Sequence, residues 1–132
     1  MPADFIDTNV LIYLLGDDDR KAGQAETLLR QGGTISVQVL NELANVGRRK
    51  LGFSWGEVSE FLEGLRGLLD VVPLDEAVHE EGLRICSRHG LSVYDGMIAS
   101  AALIAGCEVL WSEDMHHGLV IDDQLHIRNP FG

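Results

Sequence analysis

Short β-rich runs alternate along the chain with longer segments whose apolar residues recur at helical spacing. Phe5-Ile6, Thr34 to Val37, Asp70 to Leu74 and Glu108 to Trp111 predict four strands, and Leu125 to Arg128 predicts an edge strand ahead of Asn129-Pro130. Val58, Phe61, Leu62, Leu65, Leu68 and Leu69 form one helical stripe, opened by the capping box Ser54-Trp55-Gly56-Glu57. Val78, Gly82, Ile85, Cys86 and His89 form a second, with Asp75 as N-cap and Gly90 as stop. A third stripe, Ala22, Ala25, Leu28 and Leu29, ends at Gly32-Gly33, and Tyr94 to Ala105 predicts a further helix. Strands separated by helices imply an α/β fold of three layers, α/β/α, around a mainly parallel sheet of four to five strands. No repeat or linker interrupts the pattern, so residues 1–132 read as a single domain.

In such sheets ligands bind beyond the carboxyl ends of the strands, so the residues that follow each strand carry the most information. Asp7 follows the first strand and Asp114 the fourth; Glu42 lies early in the helix after the second, and Asp95 begins the helix from Tyr94. All four can project at one rim. Each also has a plain structural alternative. Asp7 could cap the helix containing Val10, Leu11 and Leu14, and Asp95 completes a capping box, Ser92-Val93-Tyr94-Asp95. Asp114 sits in a polar loop where acids are common. Glu42 is harder to dismiss: it borders the core face made by Val39, Leu43, Ala44, Val46 and Gly47, and no cation follows four residues on. Clustered carboxylates repel one another and have no stabilising role of their own, whereas a hard divalent cation takes oxygen ligands of this kind and can activate water against a phosphodiester.

The charge runs against a nucleic-acid substrate. Acids outnumber bases 21 to 10, for a net charge of −11, while phosphate-binding surfaces are usually basic. Bound divalent metal and screening beyond about 10 Å ease that conflict, and an acidic surface suits a basic protein partner. The only basic run is Arg48-Arg49-Lys50, either a solvated helix end or a phosphate contact, since Arg49 shares a helix face with Glu42. His116-His117 read as loop residues, and His79, His89 and His126 lack ligand spacing. Cys86 and Cys107 lie in apolar stretches and read as packing residues of a reducing compartment. The start Met1-Pro2-Ala3-Asp4-Phe5 does not resemble a secretory signal, and Met97 to Cys107 is too short to span a bilayer, which points to the cytoplasm. No glycine-rich phosphate loop, zinc spacing or nucleophilic Ser/His pair is present.

Phe5-Ile6-Asp7-Thr8-Asn9-Val10-Leu11-Ile12-Tyr13, Asn41-Glu42-Leu43, Tyr94-Asp95-Gly96-Met97-Ile98 and Leu110-Trp111-Ser112-Glu113-Asp114-Met115 resemble the ordered acidic motifs of PIN-domain ribonucleases. The closing stretch, Gly118 to Phe131, resembles the VapC-like toxins of type II toxin–antitoxin modules. The resemblance implies Mg²⁺- or Mn²⁺-dependent endonucleolytic cleavage of RNA, a homodimer and a cognate antitoxin. It implies that Asp7 and Asp95 bind metal directly and that Glu42 and Asp114 act through water or at a second metal. Thr8 and Ser112 become hydroxyls that orient the carboxylates, Asn9 supports them, and Arg48 and Arg49 are candidates for RNA contact. Two residues depart from the pattern: Gly96 stands where relatives often have Ala, and His116 where they often have Gln. Other readings are a housekeeping RNA-processing nuclease without antitoxin and a non-catalytic protein-binding module of the same fold. A phospho-accepting receiver domain would need a paired acid after the first strand and a lysine near the last, and neither is seen.

Overall fold

The computed structural model describes residues 4–132, so the reading of the first residues as no secretory signal lies partly outside the described residues. Phe5–Ile6 forms β1, followed by the single-turn helix α1, Thr8–Leu11, and a 3₁₀ turn, Ile12–Leu15. Helix α2 (Asp19–Arg30) leads to β2 (Thr34–Ser36), α3 (Val37–Arg49), α4 (Trp55–Leu68) and β3 (Asp70–Val72). Helices α5 (Glu76–His89) and α6 (Val93–Ile104) precede β4 (Val109–Trp111), and the hairpin β5 (Val120–Ile121) and β6 (Leu125–Arg128) closes the fold. The sheet order is β3-β2-β1-β4-β6-β5, parallel except for β5. The chain runs outward from β1 to β2 and β3, then returns to β1's other side with β4. The strand order therefore reverses between β1 and β4, where an open parallel sheet forms its ligand crevice.

The core explains the short apolar strands. Phe5, Ile6, Ile35, Leu110 and Ile127 are fully buried, as parallel strands covered on both faces must be. Val10, Leu11, Val39, Leu43, Val78, Ile85, Ile98 and Ala101 pack around them from the helices. Strand ends follow local chemistry. Ser36 stops β2 because its hydroxyl caps α3, accepting from the Val39 N–H at 3.4 Å. Pro73, which cannot donate to a ladder, follows the last residue of β3.

Three expectations change. The sheet has six strands, not four to five. The added strand is β5, which takes the edge and leaves the predicted edge strand Leu125–Arg128 inside the sheet; the turn between them is Asp122-Asp123, both at positive φ, with Gln124 N–H bonded to the Ile121 carbonyl at 3.0 Å. Acidic residues tolerate that conformation less readily than the Asn-Gly pair that signals a hairpin in sequence, and Arg84 of α5 holds Asp122 in place. Leu68 belongs to the predicted stripe of α4 yet is 62% exposed, because the helix ends there. Gly96, where relatives often have Ala, is a packing requirement. A Cβ there would fall 2.1 Å from Cys86 Sγ and 2.8 Å from the Gly82 carbonyl oxygen, so α5 and α6 approach through facing glycines. Cys107 is buried, and half-buried Cys86 lies against the Ser92 carbonyl at 3.2 Å; both are free thiols.

Candidate active site

Asp7 is placed by the ladder itself. Its N–H donates to the Trp111 carbonyl at 2.9 Å, carrying the β1–β4 pairing one residue beyond the strand. Its side chain is then enclosed, with the residue 3% exposed. Oδ1 accepts from the Thr8 N–H at 2.7 Å, while Oδ2 accepts from Ser112 Oγ at 2.9 Å and Asn9 Nδ2 at 3.2 Å. Burial lifts the carboxyl from 3.8 to about 7; the Ser112 and Thr8 bonds pull it back in part, and the charges of Glu42 and Asp95 push it further up. The N-cap position that sequence allowed for Asp7 is real, since α1 starts at Thr8. It accounts for one of three hydrogen bonds and for none of the charge.

Glu42 projects from the first turns of α3 and is fixed at both oxygens. Thr8 Oγ1 donates to Oε1 at 2.6 Å, and Gln38 Nε2, one turn earlier on the same helix, donates to Oε2 at 3.0 Å. Thr8 thereby bridges two acids, through its amide to Asp7 and its hydroxyl to Glu42. Asp95 does not complete the capping box. Ser92 Oγ accepts from the Asp95 N–H at 3.2 Å, but no bond returns from the Asp95 carboxylate to the Ser92 backbone amide, in contrast to the closed pair of Ser54 and Glu57. Its carboxyl is held above the ordinary range by burial, partly offset by the Ser92 hydroxyl, with Glu42 and Asp114 adding to the rise. Asp114 is exposed at the rim. The four acids line one cleft of about 550 Å³ with Thr8, Asn9 and Lys50.

A second network holds the β4 end of the cleft. Ser112 Oγ accepts from the Met115 N–H and from Asn9 Nδ2, each at 3.2 Å, and Asn9 Oδ1 accepts from the Glu113 N–H at 3.0 Å. Glu113 in turn pairs with Lys21 of α2 and accepts from Tyr13 Oη at 2.5 Å. Lys21 Nζ lies 4.9 Å from the Tyr13 ring centre and 5.1 Å from that of Phe131. Sequence reasoning missed Gln38, Tyr13, Lys21 and Glu113. Only Gln38 left a local signal, four residues before Glu42 on the same helix; the others meet across elements. Arg48 and Arg49 stand outside the acidic cleft, in a neighbouring groove with Trp55 and Asn45. His116 and His117 are exposed, and His117 Nδ1 accepts from the Asn129 N–H at 2.9 Å, tying down the tail.

Among the described residues no three Asp, Glu, His or Cys side chains stand close enough to form a ready-made metal cage. The donors nonetheless fit a hard divalent cation, which needs only one or two carboxylates with water and substrate oxygens completing its shell. None of the four acids forms an ion pair with a protein cation among the described residues. Asp7 is thus a buried acid with neutral partners and negative neighbours, an environment that a bound cation would compensate.

A parallel sheet reversing at β1/β4, with acids from β1, α3, α6 and the β4 loop gathered at its crevice, defines a PIN domain. The PIN domain family profile matches residues 5–118, and the chain belongs to that family. No curated protein matches it significantly. Among solved structures, it is similar to a toxin–antitoxin complex from Klebsiella pneumoniae, at 17% identity and TM-score 0.73 over 97% of this chain and 98% of that one. DNA-bound VapBC from Salmonella typhimurium gives 22% identity and TM-score 0.73, covering 98% and 99% of the two chains. Mycobacterium tuberculosis VapC20, described as a Sarcin-Ricin loop cleaving toxin, gives 19% and 0.69 over 85% and 90%. At such identities the likeness speaks for the fold alone. Among the described residues no helix is long and apolar enough to cross a membrane.

Proposed function

We propose that residues 1–132 act as one cytoplasmic PIN domain, a divalent-metal-dependent endoribonuclease that serves as the toxin of a toxin–antitoxin pair. The observation that carries the reading is Asp7: a carboxyl buried to 3% exposure, lifted to about 7, and facing other acids across a cleft open to solvent. Bound Mg²⁺ or Mn²⁺ would neutralise that cluster, acidify an attacking water and offset charge on the phosphodiester. Asp7 and Asp95 are the direct ligands in this reading, with Glu42 and Asp114 acting through water or at a second ion. Ser112 and Asn9 hold Asp7 Oδ2, and Thr8 and Gln38 hold both Glu42 oxygens, so the carboxylates are oriented before any substrate arrives.

The toxin role and antitoxin partner draw support from the solved relatives, which are described as toxin–antitoxin and VapBC complexes, and from the charge of −11, which favours a basic peptide. A homodimer is supported by a shallow, exposed apolar groove lined by Leu74, Val93 and Tyr94, which adjoins the acidic cleft through Gln38. The test is cleavage of a mixed RNA pool by purified protein with Mn²⁺ or Mg²⁺, compared with Asp7→Asn, Glu42→Gln and Asp95→Asn. Loss of cleavage in EDTA and in each variant supports the reading; EDTA-resistant cleavage surviving all three substitutions overturns it. Expression alone should arrest growth, and co-expression of an adjacent small reading frame should restore it. Unchanged growth with a metal-competent soluble enzyme would instead mark a housekeeping nuclease.

A further inference from the structure

We infer that Trp55, with Arg48, Arg49 and Lys50, forms a landing site for single-stranded RNA beside the acidic cleft: a nucleobase stacks on the indole while the phosphates cross the end of α3. The inference rests on the ribonuclease reading and adds to it the part of the molecule that would hold the substrate strand.

Three of the chain's ten cations are consecutive at the end of α3, in a protein that carries 21 acids. Lys21, Arg30 and Arg84 are paired with carboxylates, but Arg48, Arg49 and Lys50 form no ion pair among the described residues. This is an island of positive charge on an acidic surface, and a polyanion approaching the cleft needs one. Trp55 is 65% exposed, a large apolar surface left in water. It is also rigidly carried. Trp55 is the first residue of α4, inside the closed capping box of Ser54 and Glu57, and the Arg48 guanidinium lies 4.5 Å from its ring centre. Arg48 is itself fixed by donating to the Phe53 carbonyl at 2.8 Å, so guanidinium and indole are pre-stacked with much of the ring open.

The position matches the role. Trp55, Arg48 and Arg49 line a groove that shares Asn45 with the acidic cleft, and Lys50 lines the cleft itself. A strand stacked at Trp55 would thus pass two cations before reaching Glu42 and Asp95. Exposed aromatic rings interleaved with cations are the means by which single strands are held without base pairing. A helical peptide would want a continuous apolar face, yet beyond Trp55 the groove offers amides, guanidinium groups and one alanine. A basic peptide would be repelled by the cations.

The test is binding of a short labelled single-stranded uridylate to the full chain in EDTA at low salt, where metal-dependent cleavage is off. Trp55→Ala should weaken binding about tenfold and Trp55→Phe by no more than about threefold, while loss of the Arg48 contact lowers the melting temperature of Trp55→Ala by only about 2–4 °C. Arg49→Gln with Lys50→Gln should flatten the dependence of log K on log salt by about 1.4, about 0.7 for each phosphate that is no longer neutralised. In a Trp111→Phe background, the oligomer should quench Trp55 fluorescence. Equal affinity of wild type and Trp55→Ala, or no binding by wild type, overturns the inference. So does loss of binding to a protein encoded by an adjacent small reading frame in Trp55→Ala with RNA affinity intact, which would make the patch a protein interface. Cleavage by wild type with Trp55-independent binding would remove this inference alone; Trp55-dependent binding without metal-dependent cleavage would remove the ribonuclease reading alone.

Discussion

Replacing Asp7 with Asn should stabilise the metal-free protein, and only above the acid range. In the unfolded chain the carboxyl titrates near 3.8, and in the folded chain near 7. The native state therefore holds its proton more tightly, so stability is greatest below about pH 4 and falls as pH rises toward 7. At about 1.4 kcal/mol per pH unit, the deprotonated native protein has lost roughly 4 kcal/mol above pH 7. Asn carries no charge at any pH and escapes that loss. It also puts an N–H₂ group where Oδ2 now accepts from Asn9 Nδ2 at 3.2 Å, and two facing donors cost about 1–2 kcal/mol. The net expectation at pH 8 in EDTA is a gain of roughly 2–3 kcal/mol, or a melting temperature higher by about 8 °C for a domain of this size. At pH 4 the variant should melt at or below wild type. Urea titrations across that range, with both proteins in EDTA, measure the difference directly. Parallel stability curves from pH 4 to 8 would refute the reasoning, since they would show that Asp7 has no raised titration in the native state. Millimolar Mn²⁺ should then close that gap, raising wild type by about 2.7 kcal/mol at a hundredfold excess over its dissociation constant and leaving Asp7→Asn with Asp95→Asn unmoved.

Gly96→Ala should destabilise by about 2 kcal/mol although Ala is the better helix former, because the new methyl collides with Cys86 and with the Gly82 carbonyl; Cys86→Ala should restore only part, and a stabilised single variant in urea would disprove the packing argument. Ser92→Ala should cost about 1 kcal/mol, whereas Asp95→Asn and Asp95→Ala should melt within a degree or two of each other in EDTA and no lower than wild type, since the cap is the serine; a clear drop for Asp95→Ala alone would return the capping role to Asp95. Thr8→Val should keep the fold yet lower metal-dependent cleavage about tenfold and raise the metal concentration needed, by releasing Glu42 Oε1; unchanged metal dependence would argue that Gln38 alone positions that carboxylate.

The alternation of short apolar strands with amphipathic helices was legible in the sequence because both periods are local. Phe5-Ile6 is apolar at consecutive positions because β1 is covered on both faces, and Ser54 with Glu57 declares a helix start within four residues. From those elements the rim position of Asp7, Glu42, Asp95 and Asp114 also follows, since a parallel sheet sends every strand's carboxyl end to one side. Tertiary structure alone decided what surrounds the four acids. The closing of Asp7 by Ser112, the tether of Glu113 to Lys21, and the bond from Thr8 to Glu42 join residues 34 to 105 positions apart, and no local pattern encodes such pairs. The same distance hid the need for Gly96, whose Cβ would meet another helix rather than its own. It also hid the Asp122-Asp123 turn, whose positive φ values are sustained by an arginine from α5. Burial, which raises the Asp7 carboxyl to about 7, is a property of the packed whole, so the sequence could name the acid but not its protonation.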